Sequence, residues 1–207
     1  MSIFRRVKTL IRRGAQEQVA GYSIPELKSV FTEHLSRLTR PLTDYPQVAS
    51  LEDFGVSAYY SAFLIGDEDV HKFSVLVGSN FRFKTEKPFN DLPVKRYFDI
   101  RENQHLIYFR SDGEFNSATI RMVTNSVEFL SIIQSERLAV PPPWIAFEGY
   151  NPSWWSDDMQ GAQGYYNDNY FSPFFTNLSG AEREIYYARF NATDEWIKSL
   201  ELMYDVE

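Results

Sequence analysis

The chain has 207 residues, 43% hydrophobic and 24% charged, which is enough to bury a core without metal or disulfide staples and too apolar for long disorder. It has no cysteine, so disulfides, thiolate metal sites and cysteine nucleophiles are excluded. The net charge of −7 is uneven: residues 1–13 carry five basic residues and no acid, which leaves a strongly acidic remainder. An acidic body repels nucleic-acid phosphates and suits a basic protein partner.

The start, MSIFRRVKTLIRRG, lacks the apolar run of a secretory signal, and no window approaches the length of a membrane span. The expectation is a cytoplasmic protein with no stable membrane insertion. Ile3, Phe4, Val7, Leu10 and Ile11 fall at helical spacing with arginines opposite. That is a first helix, docked on the acidic body or lying on an anionic membrane surface. The second helix is predicted to begin at Ser23, where Pro25 and Glu26 complete a capping box, and to present Leu27, Val30, Phe31, Leu35 and Leu38 on one face. Pro41 and Pro46 end it. His34 reads as packed or half-exposed rather than as a ligand.

Residues 50–123 read mainly as strands, at 57–65, 72–77, 80–84, 95–100, 105–110 and 118–123. Gly66-Asp67, Gly78-Ser79 and Asp112-Gly113 are the expected turns, and short connections favour an antiparallel meander. Ser50-x-x-Asp53 resembles a helix cap and leaves 50–64 open to a helical reading. Asp67, Glu68, Asp69 and His71 have metal-ligand chemistry, but one turn does not gather four ligands, so the expectation is no metal and no cofactor. His105 lacks a nucleophile motif, and the serines lack a G-x-S-x-G elbow. Residues 125–138 return to helical period behind Ser126 or Asn125.

Pro141–Pro143 then marks a composition boundary. The organisation expected is one domain over 1–207, with N-terminal helices in 1–46, sheet plus helix in 50–140, and an aromatic-rich helical segment in 141–207. The fold class is α+β, an antiparallel sheet flanked by helices. Residues 141–175 hold three tryptophans, four tyrosines and four phenylalanines. Gly161 and Gly164 lie inside a predicted helix over 157–170, so close packing must compensate them. Ser179 with Glu182 predicts a further capped helix with Ile185, Tyr186 and Phe190 inward, and Thr193 starts a last one with Trp196, Ile197, Leu200 and Tyr204 inward.

The run PPPW-x-x-F, then W-x-x-x-M-x-G-A-Q-x-Y-Y, F-F-x-x-L and R-x-x-Y-x-x-R-F, spanning roughly 141–197, resembles the C-terminal block of small uncharacterised bacterial proteins. Some of those sit beside secreted or contact-dependent toxins and are thought to be their immunity proteins. This chain departs from that pattern with Gln163 where an acid is common, and with Ser156-Asp157-Asp158 where a basic residue is usual. The resemblance implies a non-enzymatic protein that binds a cognate, basic toxin domain and occludes its active site.

Aromatics at helical spacing are first of all core. Trp and Tyr also serve as interface anchors, and on that reading Trp154, Trp155, Asp157, Asp158, Tyr165 and Tyr166 contact the partner. The alternative is a carbohydrate-binding protein or glycoside-acting enzyme, with the tryptophan pair stacking on sugar and Asp157 or Asp158 pairing with Glu148.

Overall fold

Tyr59–Ile65 forms a strand buried on both faces, with one apolar core on either side of it. The computed structural model describes residues 18–35, 45–99, 101–155 and 159–204. The helix expected over 3–12 lies outside these residues. The helix expected from Ser23 to Leu38 stops at Val30, with Phe31 as its C-cap and residues 31–35 non-helical, and residues 36–38 lie outside the described ones.

A two-stranded ribbon, β1 (Gln18–Val19) and β2 (Tyr22–Ser23), leads into α1 (Ile24–Val30). Its capping box is formed as expected: the Ser23 amide donates to the Glu26 carboxylate at 2.7 Å, and the Glu26 amide donates back to Ser23 Oγ at 3.4 Å. Next come β3 (Val48–Ser50), β4 (Tyr59–Ile65), α2 (Asp67–Asn80), β5 (Arg82–Phe89), β6 (Leu92–Asp99), β7 (Gln104–Glu114) and β8 (Ser117–Thr124). Helix α3 (Val127–Ser135), capped by Ser126, follows. The C-terminal layer holds the short α4 (Pro143–Ala146), α5 (Gly161–Tyr166), a π-helical turn (Asn167–Phe171) and α6 (Ser172–Phe175), then α7 (Gly180–Arg189) and α8 (Asp194–Tyr204).

The six-stranded sheet is antiparallel throughout, in the order β3-β4-β8-β7-β6-β5. The last four strands form the expected meander. Strands β4 and β5 run parallel at a distance, so a crossover must join them. That crossover is α2, and it overturns the strand predicted at 72–77. In KFSVLV the alternation of Phe73, Val75 and Val77 imitates a strand. In the helix Phe73 and Val77 are buried while Val75 is 51% exposed. Acidic Asp67, Glu68 and Asp69 fall in the first turn, where the helix dipole favours them. Gly78-Ser79 is thus the end of a helix rather than a turn.

One further turn differs from expectation. Asp112-Gly113 makes a bulge in β7, and the chain reverses at Phe115-Asn116, both at positive φ. A phenylalanine is an unfavourable choice there. Phe115 is held by its ring, which packs on Phe147, Tyr165 and Tyr166. Residues 50–64 hold no helix beyond a single 3-10 turn, Glu52–Phe54, whose N-cap is Leu51; Ser50 Oγ accepts from the Glu52 amide at 3.2 Å.

The two sheet faces are covered differently. Tyr59, Phe63, Leu106, Tyr108, Ile120 and Met122 face α2, α3 and the C-terminal helices. Tyr60, Val94, Ile107, Phe109 and Val123 face the ribbon and α1, with Val19, Tyr22, Leu27 and Phe31. Alternation along each strand sends neighbours to opposite cores. In α7, Ile185 is 68% exposed against the expected inward position, and Tyr186 and Tyr187 take the core side. Helix α8 buries Trp196, Leu200 and Tyr204 as its period predicts.

Candidate functional site

Pro141 and Pro142 run extended, and Pro143 opens a helical turn, where its missing N–H is not needed. Trp144 then donates its indole N–H to the Phe190 carbonyl at 2.9 Å and packs on Trp196. Asn151 caps the 3-10 turn Pro152–Trp154, accepting from the Ser153 amide at 2.9 Å. Ser199 of α8 donates to the Pro152 carbonyl at 2.7 Å and fixes that turn to the last helix.

This turn separates the two neighbouring tryptophans. Trp155 is 3% exposed, donates to Tyr204 Oη at 3.3 Å, and packs among Phe147, Tyr166, Phe171 and Trp196. Trp154 is 64% exposed. Its ring stands edge-on to Tyr150, whose hydroxyl donates to the Trp154 carbonyl at 3.3 Å. Of the residues assigned to partner contact, Trp155 and Tyr166 therefore lie in the core. Tyr166 is fully buried and donates its hydroxyl hydrogen bond to the Pro141 carbonyl. Tyr165 is partly exposed, stacked on Phe115 with its hydroxyl against that of Tyr170. Asp157 and Asp158 lie outside the described residues. The cluster thus presents Trp154 and part of Tyr165 to solvent, and uses the others as packing.

Glycine positions explain how the segment closes. A Cβ on Gly164 would stand 2.5 Å from the Met159 carbonyl oxygen, so only glycine admits that approach. This is close packing of the kind expected, at Gly164 alone; Gly161 does not lie inside the helix but opens it, at positive φ and with open space around it. Buried tyrosine hydroxyls of this layer bond to backbone and to side chains: Tyr186 donates to the Val140 carbonyl, Tyr45 to the Leu64 carbonyl, and Tyr204 to Asn167 Oδ1. Burial raises the pKa of Tyr45, Tyr166 and Tyr186, which stay neutral donors.

Helix α8, fastened to this turn through Ser199, exposes Asp194, Glu195, Glu201 and Leu202. Over residues 159–204 six acids face three basic residues. The other acidic cluster of the sequence is structural: Asp69 accepts from the Ala139 amide at 2.8 Å and pairs with Arg189 at 3.2 Å, while Glu68 pairs with the same arginine. Among the described residues no group of three or more His, Asp or Glu is placed to hold a metal ion. No helix among them is long and apolar enough to cross a membrane.

A groove of about 370 Å³ opens on the opposite sheet face, between the β1–β2 ribbon and the tip of the β5–β6 hairpin. Its apolar end is Val19, Phe89, Leu92 and Phe109. Its polar end is Ser111, Glu114 and Arg121, with Arg121 donating twice to Glu114, at 2.8 and 3.1 Å, and once to Ser111 at 3.0 Å. The bulge at Gly113 carries Glu114 to this pairing. Chemically the groove fits a small apolar group with one hydrogen-bonding end. The sequence signal for it is Arg121 alone, a charge in the middle of the apolar run ATIRMV, which requires a partner on one sheet face.

No family model, curated protein or solved structure matches this chain.

Proposed function

We propose that this protein is an immunity-type inhibitor, which binds a basic toxin domain and blocks its active site by surface complementarity. The observation that carries the reading is the presentation of Trp154. Its turn is fastened by Asn151, Tyr150 and Ser199, so little side-chain and backbone freedom is lost when a partner covers it. An exposed, pre-positioned tryptophan is the residue type that anchors interfaces. The exposed acids of α8, the helix to which its turn is fastened, would steer a basic partner. The resemblance of 141–197 to proteins encoded beside toxins supports the same reading. The sugar alternative loses its paired platform, since Trp155 is buried against Tyr204.

The test is titration calorimetry of the full chain with the product of the neighbouring gene. The expected result is a stoichiometric complex that weakens with salt. Trp154→Ala should weaken it by at least about tenfold, and Glu195→Lys should slow association. Absence of a complex, or an affinity indifferent to both substitutions, would remove the reading.

A further inference from the structure

Among the described residues strand β5 is the outer edge of the sheet, and its first five residues, Arg82 to Glu86, are all exposed. The opposite edge, β3, is only three residues long. The β5–β6 hairpin turns through Asn90-Asp91, both at positive φ, with Phe89 opposite Leu92. From that two-residue turn the hydrogen-bonding pattern follows. Lys87 and Thr85 turn their backbone groups toward β6, and Glu86 turns its N–H and C=O to the open edge. Pro88 stands opposite Pro93 at a position where neither needs to donate across the hairpin. Its ring blunts the edge near the tip, and the register to β6 shifts by one residue between Phe83 and Thr85, so the part that can accept another strand is Arg82–Lys87 with Lys84 as the extra residue of a bulge.

The charge of this edge is opposite to that of the whole chain. The hairpin carries five basic and three acidic residues in a protein of net charge −7. Arg82 and Lys84 have no carboxylate partner among the described residues, and Lys84 lies over the Phe98 ring at 5.0 Å. Beside them a cleft of about 670 Å³ runs from the end of α2 to Arg101. Phe83, at its rim, is 58% exposed with its ring edge-on to Tyr97.

We propose that β5 is a docking edge for an acidic, extended segment of another protein. The segment adds as a seventh strand along Arg82–Lys87, places carboxylates on Arg82 and Lys84, and sets an apolar side chain on Phe83. Strand addition uses the free edge N–H and C=O for affinity and the side-chain positions for selectivity. A second copy of β5 would bring its own excess of cations to the edge, which opposes pairing. A single-stranded nucleic acid would meet Glu86 in the middle of the strand and leave the edge donors and acceptors unmatched. The acidic peptide satisfies both the charges and the backbone. This surface is separate from Trp154 and does not depend on the toxin reading.

The experiment uses the full chain, isotopically labelled, with three probes: an extended peptide of alternating Glu and Val, its Lys and Val counterpart, and oligothymidylate. The Glu-Val peptide should bind saturably and slow hydrogen exchange at the Glu86 amide. Arg82→Glu with Lys84→Glu should weaken it by at least about tenfold at unchanged melting temperature. Trp154→Ala should leave it unaltered. Equal binding of the Lys-Val peptide, an unprotected Glu86 amide, or binding that survives the double substitution would overturn the proposal. So would displacement by oligothymidylate without protection of Glu86, which would assign the edge to nucleic acid.

Discussion

Tyr186 donates its hydroxyl hydrogen bond to the Val140 carbonyl at 2.6 Å, and both groups are buried. The bond joins α7 to the segment that leaves the sheet. Tyr166 does the same for the next carbonyl, that of Pro141. The proline run needs these partners, because its extended backbone makes no internal hydrogen bonds. Tyr186→Phe leaves a buried acceptor unsatisfied and should cost about 1–3 kcal/mol. Urea denaturation of the two proteins measures it directly.

The neighbouring tryptophans should separate in two assays. Trp155→Ala removes a ring packed among five aromatic neighbours and should cost about 3–5 kcal/mol. Trp154→Ala, at an exposed position, should stay within about 0.5 kcal/mol of the parent. Equal thermal shifts for the two variants would contradict the division into core and surface.

Gly164 makes a sharper steric case. Alanine is normally the better helix residue by about 1 kcal/mol. Here its Cβ meets the Met159 carbonyl at 2.5 Å, and backbone must move. Gly164→Ala should therefore destabilise the protein, by about 1–3 kcal/mol, while Gly78→Ala, with open space around its Cβ in α2, should stabilise it. Melting temperatures of opposite sign are the expected readout.

His105 gives a pH dependence. Its ring is buried, stacked on Phe98 at 4.5 Å and edge-on to Phe31, and its Nδ1 has no hydrogen-bond partner. Burial, helped by the nearby charges of Arg96 and Lys84, lowers its pKa from 6.5 to about 4. The unfolded chain then binds a proton between those values that the folded chain refuses. Stability should fall as pH drops from 6.5 toward 4 and level off below, with a loss of at most about 3 kcal/mol, which solvent screening reduces. In His105→Phe that slope should flatten, as followed by chemical denaturation across the window.

Glu26 acts at a lower pH. The hydrogen bonds from Lys87 and from the Ser23 amide and hydroxyl lower its pKa to about 2. Its contribution is present above the ordinary carboxylate value and is lost as pH falls through about 4 to 2. Glu26→Gln should remove that part of the acid transition and loosen α1 from the β5–β6 hairpin.

The sequence by itself determined the elements whose signals are local. Ser23 and Ser179 cap helices because a hydroxyl and a glutamate three residues on satisfy the same turn's amides. Five of six strand runs are strands, because β-branched and aromatic residues fit a half-buried pleated surface. Trp196, Leu200 and Tyr204 fall inward because helical period alone places them there. Tertiary structure decided what depends on distant partners. The apolar residues of 72–77 fit a strand or a helix, and the need to cross from β4 to β5 selects the helix. Phe115 takes a left-handed turn because Phe147, Tyr165 and Tyr166 hold its ring. Trp154 and Trp155 are chemically identical neighbours, and only the turn fastened by Asn151 and Ser199 sends one outward and the other onto Tyr204. Glu114 and Arg121 meet through a bulge, and the basic edge of β5 exists only because strand order puts Arg82–Phe89 outermost. Local patterns fix what a segment can become, while exposure and pairing are set by which other segments arrive beside it.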